Sequence, residues 1–589
     1  MNGVNAHLDL LHQAVVLLSS GRSGEALPLL ADIPADATLH PHALHLRGIA
    51  QATQGETAQA ITSFEAALRY LADNDELLAN LARAYCAHER YADALALLDK
   101  IAGTGRASAT TFADRAVVLE KLGVDAQALE SCDAALTLDA DLPLAWATKG
   151  NLLHKAGRYG EALDCHERLL AIQPDNCLAI SARASTLDKL GRMVEALTEH
   201  RHAQSLCPGH AAIWSGHGVC LVLLDRLEEG LDCYDQALAI DPSHLQAGIN
   251  RASVLAELGR FPESLDQFDA ALRLAPVGSN AHSQALCYQG MVSLALGNPA
   301  GWAGYEHRSF ADKALDKHDA AAPRWTGAES LFGKRILLWG EQGFGDIIQF
   351  CRYAVSLAGL GATVMLEVPR RLVPLCASLP AAAIREQGAA IPPHDFQIPM
   401  MSMPLALQRH PQRAGIPCPD GYLRAEARHV ERWRDALPRP TRNRRIGLAC
   451  SGAPHHSRNA RRSIPLEKLL ALTDVADLVM LQPELMPDDL ATARACPDLL
   501  RPALDAGTFA DVAGLIANLD LVISVDTSIA HLAGAMGLPV WILLPWNAEW
   551  RWMTARADTP WYRSARLFRQ PAPGRWDLVI SDVLRALTI

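Results

Sequence analysis

Several features are missing from these 589 residues, and each absence excludes a class of function. There is no basic excess: 54 Lys and Arg face 65 Asp and Glu, for a net charge of -11, which argues against a general nucleic-acid or anionic-membrane surface. No uninterrupted apolar run reaches the ~18–20 residues that span a bilayer, so no transmembrane segment is expected. The opening stretch, MNGVNAHLDLLHQAVVLLSSGRSGEAL, lacks a basic region followed by an apolar core and a cleavage site. The 13 cysteines run from Cys86 to Cys496 without a CxxC pair or a Cys/His cluster at zinc spacing. They are expected as free, mostly core thiols in a reducing compartment, and the expected location is cytoplasmic. Neither GxxxxGK[ST] nor GxGxxG in the required context occurs, which removes the P-loop and the dinucleotide fingerprint.

What is present divides into two halves. The length demands more than one domain, and a 50% hydrophobic, 20% charged composition is ordinary for a globular protein. In the first half Gly21, Gly55, Gly123, Gly157, Gly191 and Gly259 fall on one 34-residue grid, with Glu89 and Asp225 in its other two slots. Five residues after each marker stands a small residue, such as Ala26, Ala94 or Ala162. Seven before it, small residues recur, among them Gly48, Ala82, Gly150 and Gly218. The later units add Pro174, Pro208, Pro242 and Pro276. Small residues let antiparallel helices approach, a glycine allows positive φ in the turn, and proline ends the second helix. This pattern, over about residues 8–276 with a degenerate unit beyond, resembles the tetratricopeptide repeat. An α-solenoid is expected over 1–312, with a concave groove suited to a protein partner or to scaffolding.

After about 312 the grid stops, and 313–332 reads as a linker. RILLW, ATVMLEV, DFQIPM, RRIGLAC, DLVMLQ, LDLVISV and PVWILLP then alternate with helical stretches. Short buried strands in that alternation predict parallel α/β sheets. The Pro-rich ALPRPTRNRR divides them into two Rossmann-like halves, 333–438 and 439–589. A cleft at the carboxyl ends of the strands is the expected ligand site.

Four loops carry candidate chemistry. GEQGFGDIIQF, 340–350, joins a strand to a helix, with Gly343, Gly345, Asp346 and Gln349. Asp346 stands where a helix cap belongs, and a carboxylate there could also take a proton from an attacking hydroxyl. In VDTSIAHLAGAMG, Asp526, Thr527, Ser528 and His531 open a helix, where backbone N–H groups suit a diphosphate and where Thr527 or Ser528 equally suits a simple cap. CSGAPHHSRNARRSIP places Ser451, Gly452, His455, His456, Arg458, Arg461 and Arg462 in a basic loop, either a phosphate clamp or a solvated face. Trp546, Trp550, Trp552 and Trp561 crowd 545–570, either as stacking faces for a base or sugar or as core.

In this order these stretches, with IPMMSMPLAL and MLQ (which contributes Gln482), resemble the GT-B glycosyltransferases, closest to the heptosyltransferase-like family, glycosyltransferase family 9, in its repeat-fused members. The resemblance implies a nucleotide-sugar donor held by the second half and an inverting, metal-independent transfer without cofactor. It implies Asp346 as base. Gly343, Gly345, Gln349, Ser451, Gly452, Arg461, Arg462, Gln482, Asp526, Thr527, Ser528 and His531 are then donor or substrate contacts. The expected acceptor is a protein recruited by the repeats, with flagellin Ser/Thr hydroxyls as one candidate. The alternatives are transfer to a lipopolysaccharide or lipid-linked glycan, and a non-catalytic repeat adaptor.

Overall fold

The computed structural model describes residues 2–310, 322–411, 415–452 and 459–588. Residues 313–321 of the expected linker, and His455, His456 and Arg458, lie outside the described residues. Helical hairpins begin with Asn2–Ser19 and Ser23–Ala31 and continue through Leu245–Glu257 and Phe261–Leu274. Each grid marker lies in the turn inside a hairpin with positive φ, from 81° at Gly55 down to 62° at Asp225 and 60° at Glu89. The same closure recurs around it: the N–H after the marker donates to the carbonyl five residues back, as in Val124 to Leu119 at 2.9 Å and Arg260 to Leu255 at 2.8 Å. The small position seven before the marker is explained by its partner on the second helix. A Cβ on Gly48, Gly150 or Gly218 would lie 2.4, 2.6 or 2.7 Å from the ring of Phe64, His166 or Tyr234. Pro174, Pro208 and Pro242 each follow a helix end, at Ile172, Leu206 and Ile240.

One expectation is corrected here. Cys177, at the start of one helix, and Cys207, just past the end of its hairpin partner Met193–Leu206, form a disulfide with Cα atoms 6.1 Å apart. Their 30-residue separation carries no sequence signature, because the hairpin alone brings the two ends together. The other cysteines are free and mostly buried, as expected.

The chain divides into compact units at 247/248, upstream of the end of the repeat pattern at 312. The helices Asn280–Ala295 and Gly301–Tyr305 belong to the second unit, where Trp302 and Tyr305 join one apolar core with Phe350, Trp550 and Trp561. That unit contains two wholly parallel sheets. In the first, β1 (Arg335–Trp339), β2 (Thr363–Val368), β3 (Ala383–Glu386) and β4 (Phe396–Pro399) are ordered β3-β2-β1-β4. The second holds β5 (Arg445–Ala449), β6 (Asp477–Met480), β7 (Leu499–Leu500), β8 (Leu521–Val525), β9 (Val540–Leu544) and β10 (Ala565–Arg569). Its order, β10-β9-β8-β5-β6-β7, reads 3-2-1-4-5-6 when counted from β5, the doubly wound arrangement. Every long apolar run became a strand. β3, β7 and β10 escaped the pattern because they are short or interrupted by Arg.

The helix Ala427–Ala436, placed by sequence with the first half, packs against Phe509–Ile516 of the second, where Trp433 Nε1 donates to Asp511 Oδ1 at 2.9 Å. Among the described residues no helix is long and apolar enough to cross a membrane.

Candidate functional site

In each sheet the strand order reverses beside the strand that begins it, between β1 and β4 and between β5 and β8. Ligands of doubly wound sheets bind outside the carboxyl ends at such points. The loops found by sequence leave from these ends: 340–343 after β1, 450–452 after β5 and 526–527 after β8.

The loop after β1 runs into the helix Phe344–Phe350, which packs on the helix Ser528–Ala535 after β8. Gly345 makes this contact possible, since a Cβ there would lie 2.9 Å from His531 Cδ2. Gln342 in the same loop holds φ at 62°, a conformation that costs energy in a residue other than glycine. The N-cap is Gly343, not Asp346. Asp346 lies three residues on and reaches back to accept the Gly343 N–H at 2.9 Å. Its other oxygen accepts from Arg551, a residue the sequence reading did not single out. Burial pushes the Asp346 carboxyl above its usual range, and the Arg551 guanidinium opposes that shift.

Arg551 is a hub. It is almost fully buried, donates through Nε to Gln349 Oε1 at 3.0 Å, pairs with Glu549 and covers the ring of Trp550 at 4.6 Å. Met553, two residues on, also has positive φ at 53°. A second buried pair supports the loop from behind. Glu341 takes two bonds from Arg308, at 2.6 and 2.9 Å, and accepts the Met401 N–H at 3.1 Å. Glu341 thereby ties the ends of β1 and β4 to the helical segment before the sheets.

At the second sheet Thr527 caps Ser528–Ala535, accepting the Ile529 N–H at 3.2 Å, so the capping role is real. Ser528 is the first helical residue and half-buried. His531 is buried, with Nδ1 2.9 Å from Tyr562 Oη, Nε2 3.8 Å from Asp526 and its ring stacked on Trp552. Burial, reinforced by Arg551, lowers its pKa well below the ordinary value, so the imidazole is neutral. Burial raises Asp526 to about 6, the Glu549 carboxylate adding to the effect.

Gln482, after β6, braces the loop after β5: its Oε1 accepts from Cys450 and Ser451 N–H at 2.5 and 3.1 Å, and its Nε2 donates to Ser451 O at 2.8 Å. Gly452 leaves room for Arg462, since a Cβ would meet Arg462 Nη2 at 2.2 Å. Arg462 Nε is buried without a partner among the described residues, and its charge is felt at Asp526 and His531. Arg461 is directed elsewhere, donating to Glu257 Oε2 at 2.7 Å. Arg462 thus lies near Asp526 and His531, while Arg461 is engaged with Glu257.

Three of the four tryptophans resolve as core. Trp550, Trp552 and Trp561 are buried and Trp546 is 41% exposed. Trp302, Tyr353, Trp550, Met553 and Trp561 help to line a cavity of about 290 Å³ beside Arg551.

The family models that match fall within the helical hairpins. Models of the tetratricopeptide repeat match residues 51–109, 145–176 and 221–279. The hairpins are tetratricopeptide repeats. The chain is 28% identical over 325 residues to Protein FlbA of Caulobacter vibrioides, covering 50% of this chain and 53% of that one. It thus spans about half the length of the curated relative it matches. Among solved structures, a tetratricopeptide-repeat protein from Parabacteroides merdae is 18% identical with a TM-score of 0.35, over 40% of this chain and 94% of that one. YrrB, described as having an unusual peptide-binding site, is 25% identical with a TM-score of 0.24, over 32% and 95%. These repeats give the chain the architecture of an interaction or scaffold protein.

Proposed function

We propose that the chain is a GT-B glycosyltransferase of the heptosyltransferase-like kind, moving a sugar from a nucleotide-sugar donor to a protein hydroxyl presented by the repeats. The observation that supports this most is the seating of the Asp346 helix on the His531 helix, with switch-point ends of both parallel sheets converging there. In this reading the acceptor oxygen attacks the anomeric carbon, its proton passes to an Asp346 oxygen, and the bond from that carbon to the diphosphate breaks. Burial makes Asp346 a stronger base than an exposed carboxylate, and the Arg551 guanidinium opposes that shift. Arg462 and the N–H groups opening Ser528–Ala535 meet the charge on the departing diphosphate. Neutral His531 offers a hydrogen bond rather than a charge.

The test is incubation of the full chain with labelled nucleotide sugars and either a cell lysate, purified flagellin or lipopolysaccharide. Label is expected on protein, with Asp346→Asn slower by ~100-fold or more. Equal transfer by wild type and Asp346→Asn would remove Asp346 as the base. One observation favours an adaptor instead: both Asp346 oxygens are already engaged, as in a purely structural ion pair. Partner capture with no transfer from any donor would support that reading.

A further inference from the structure

We propose that Asp188, His200 and Cys220 form a binding site for one zinc-class divalent cation inside the repeat array. They come from three successive helices, Cys177–Lys189, Met193–Leu206 and Ala211–Leu223. One ligand atom from each lies within 4.8 Å of the others. His200 Nε2 and Asp188 Oδ2 are 3.2 Å apart. Zinc bonds of ~2.0–2.3 Å in a tetrahedron separate neighbouring ligand atoms by about 3.3–3.8 Å, so the cluster needs only a small contraction.

The surroundings do not suit a plain hydrogen-bonded core. Asp188 is 6% exposed and His200 fully buried, yet Asp188 Oδ1 and His200 Nδ1 have no protein partner. His217 stacks on His200 with centroids 5.8 Å apart, and its Nε2 is also buried and unpartnered. Among the described residues the Asp188 carboxylate has no Arg or Lys ion pair, only His200. A buried carboxylate with so little compensation is costly, and a divalent cation supplies the missing charge. Several other repeats hold apolar residues in these slots, whereas Cys132, His166 and Tyr234 take the His200 slot elsewhere and Glu120 and His154 the Asp188 slot. Leu30, Phe64 and Phe268 occupy the His200 position of the grid, and Leu18, Ala52 and Ala256 the Asp188 position. Thiolate, imidazole and carboxylate together favour zinc over the hard cations calcium and magnesium. A fourth position is left for an exogenous ligand. Linear spacing concealed the site because its ligands stand 12 and 20 residues apart.

The full chain, purified without chelator and dialysed against metal-free buffer, is assayed for zinc by mass spectrometry and titrated with Co²⁺ after zinc removal. We expect about one zinc per chain, a thiolate-to-Co²⁺ charge-transfer band, and a zinc-dependent rise in melting temperature. Cys220→Ser and Asp188→Asn should each weaken zinc binding by ~100-fold and lose that rise. Cys132→Ser, at a buried thiol outside the cluster, should change nothing. Substoichiometric zinc in the wild type, or unchanged affinity in Cys220→Ser, overturns the assignment. If a variant fails to fold, the wild-type spectrum decides alone, because absence of the thiolate band refutes it.

Discussion

Replacing Arg551 by Met should destabilise the second unit by ~3 kcal/mol. The guanidinium is 6% exposed and serves Asp346, Glu549 and Gln349 at once. Removing one partner of a buried ion pair costs ~3–5 kcal/mol, because the remaining charge is left uncompensated. The Asp346 and Glu549 side chains retain 19% and 29% exposure, so water repairs part of the loss and the lower end applies. Urea unfolding followed by tryptophan fluorescence reads this unit selectively, since of the 12 tryptophans only Trp146 and Trp214 precede residue 248. Asp346→Asn in the same chain should recover ~1–2 kcal/mol, since it removes one stranded carboxylate. The penalty should also grow as pH rises. Asp346 already has a raised folded-state pKa, and losing Arg551 raises it further. The folded state then favours the protonated form, whose stability is present at low pH and lost as pH rises. By contrast Arg563→Met, at an exposed pair with Asp420, should cost under ~1 kcal/mol. A loss below ~1 kcal/mol for Arg551→Met, or strict additivity with Asp346→Asn, would refute the hub.

Three further outcomes follow from the geometry. Asp526, raised from 3.8 to about 6, contributes stability present below the lower value and lost as pH rises through the upper one. At ~1.4 kcal/mol per unit, the stability difference between wild type and Asp526→Asn should shift by about 2.4 kcal/mol from pH 4 to 7, and parallel pH profiles would disprove this. Gly304→Ala sets a Cβ 2.4 Å from Leu286 O and 3.0 Å from Gly290 Cα, both backbone, and should cost ~1–3 kcal/mol in the same urea assay; a neutral result would mean the two helices separate freely. Glu89→Gly relieves a residue held at φ 60° and should raise the stability of the repeats by ~0.5–1 kcal/mol by circular dichroism, whereas a loss would show that Glu89 itself is needed.

The repeats were legible because their determinants are local. A positive-φ turn, a small residue facing a ring and a terminal proline each act within one hairpin, and a period of 34 multiplies the signal. The strands were legible where they are continuous apolar runs, and the loops after β1, β5 and β8 because Gly, Asp and Ser/Thr interrupt those runs at the strand ends.

Sequence alone therefore determined the two kinds of architecture and the loops that carry polar chemistry. It did not determine which polar groups answer one another. Arg551 meets Asp346 across 205 residues and Gln349 across 202, and Arg308 meets Glu341 across 33, with no pattern in the chain announcing them. The different surroundings of Arg462 and Arg461, the disulfide from Cys177 to Cys207 and the Asp188–His200–Cys220 cluster were decided the same way. Hydrophobic period fixes which face of an element is buried. Which charge, thiol or ring then stands opposite depends on how separate elements pack, and only the tertiary structure holds that information.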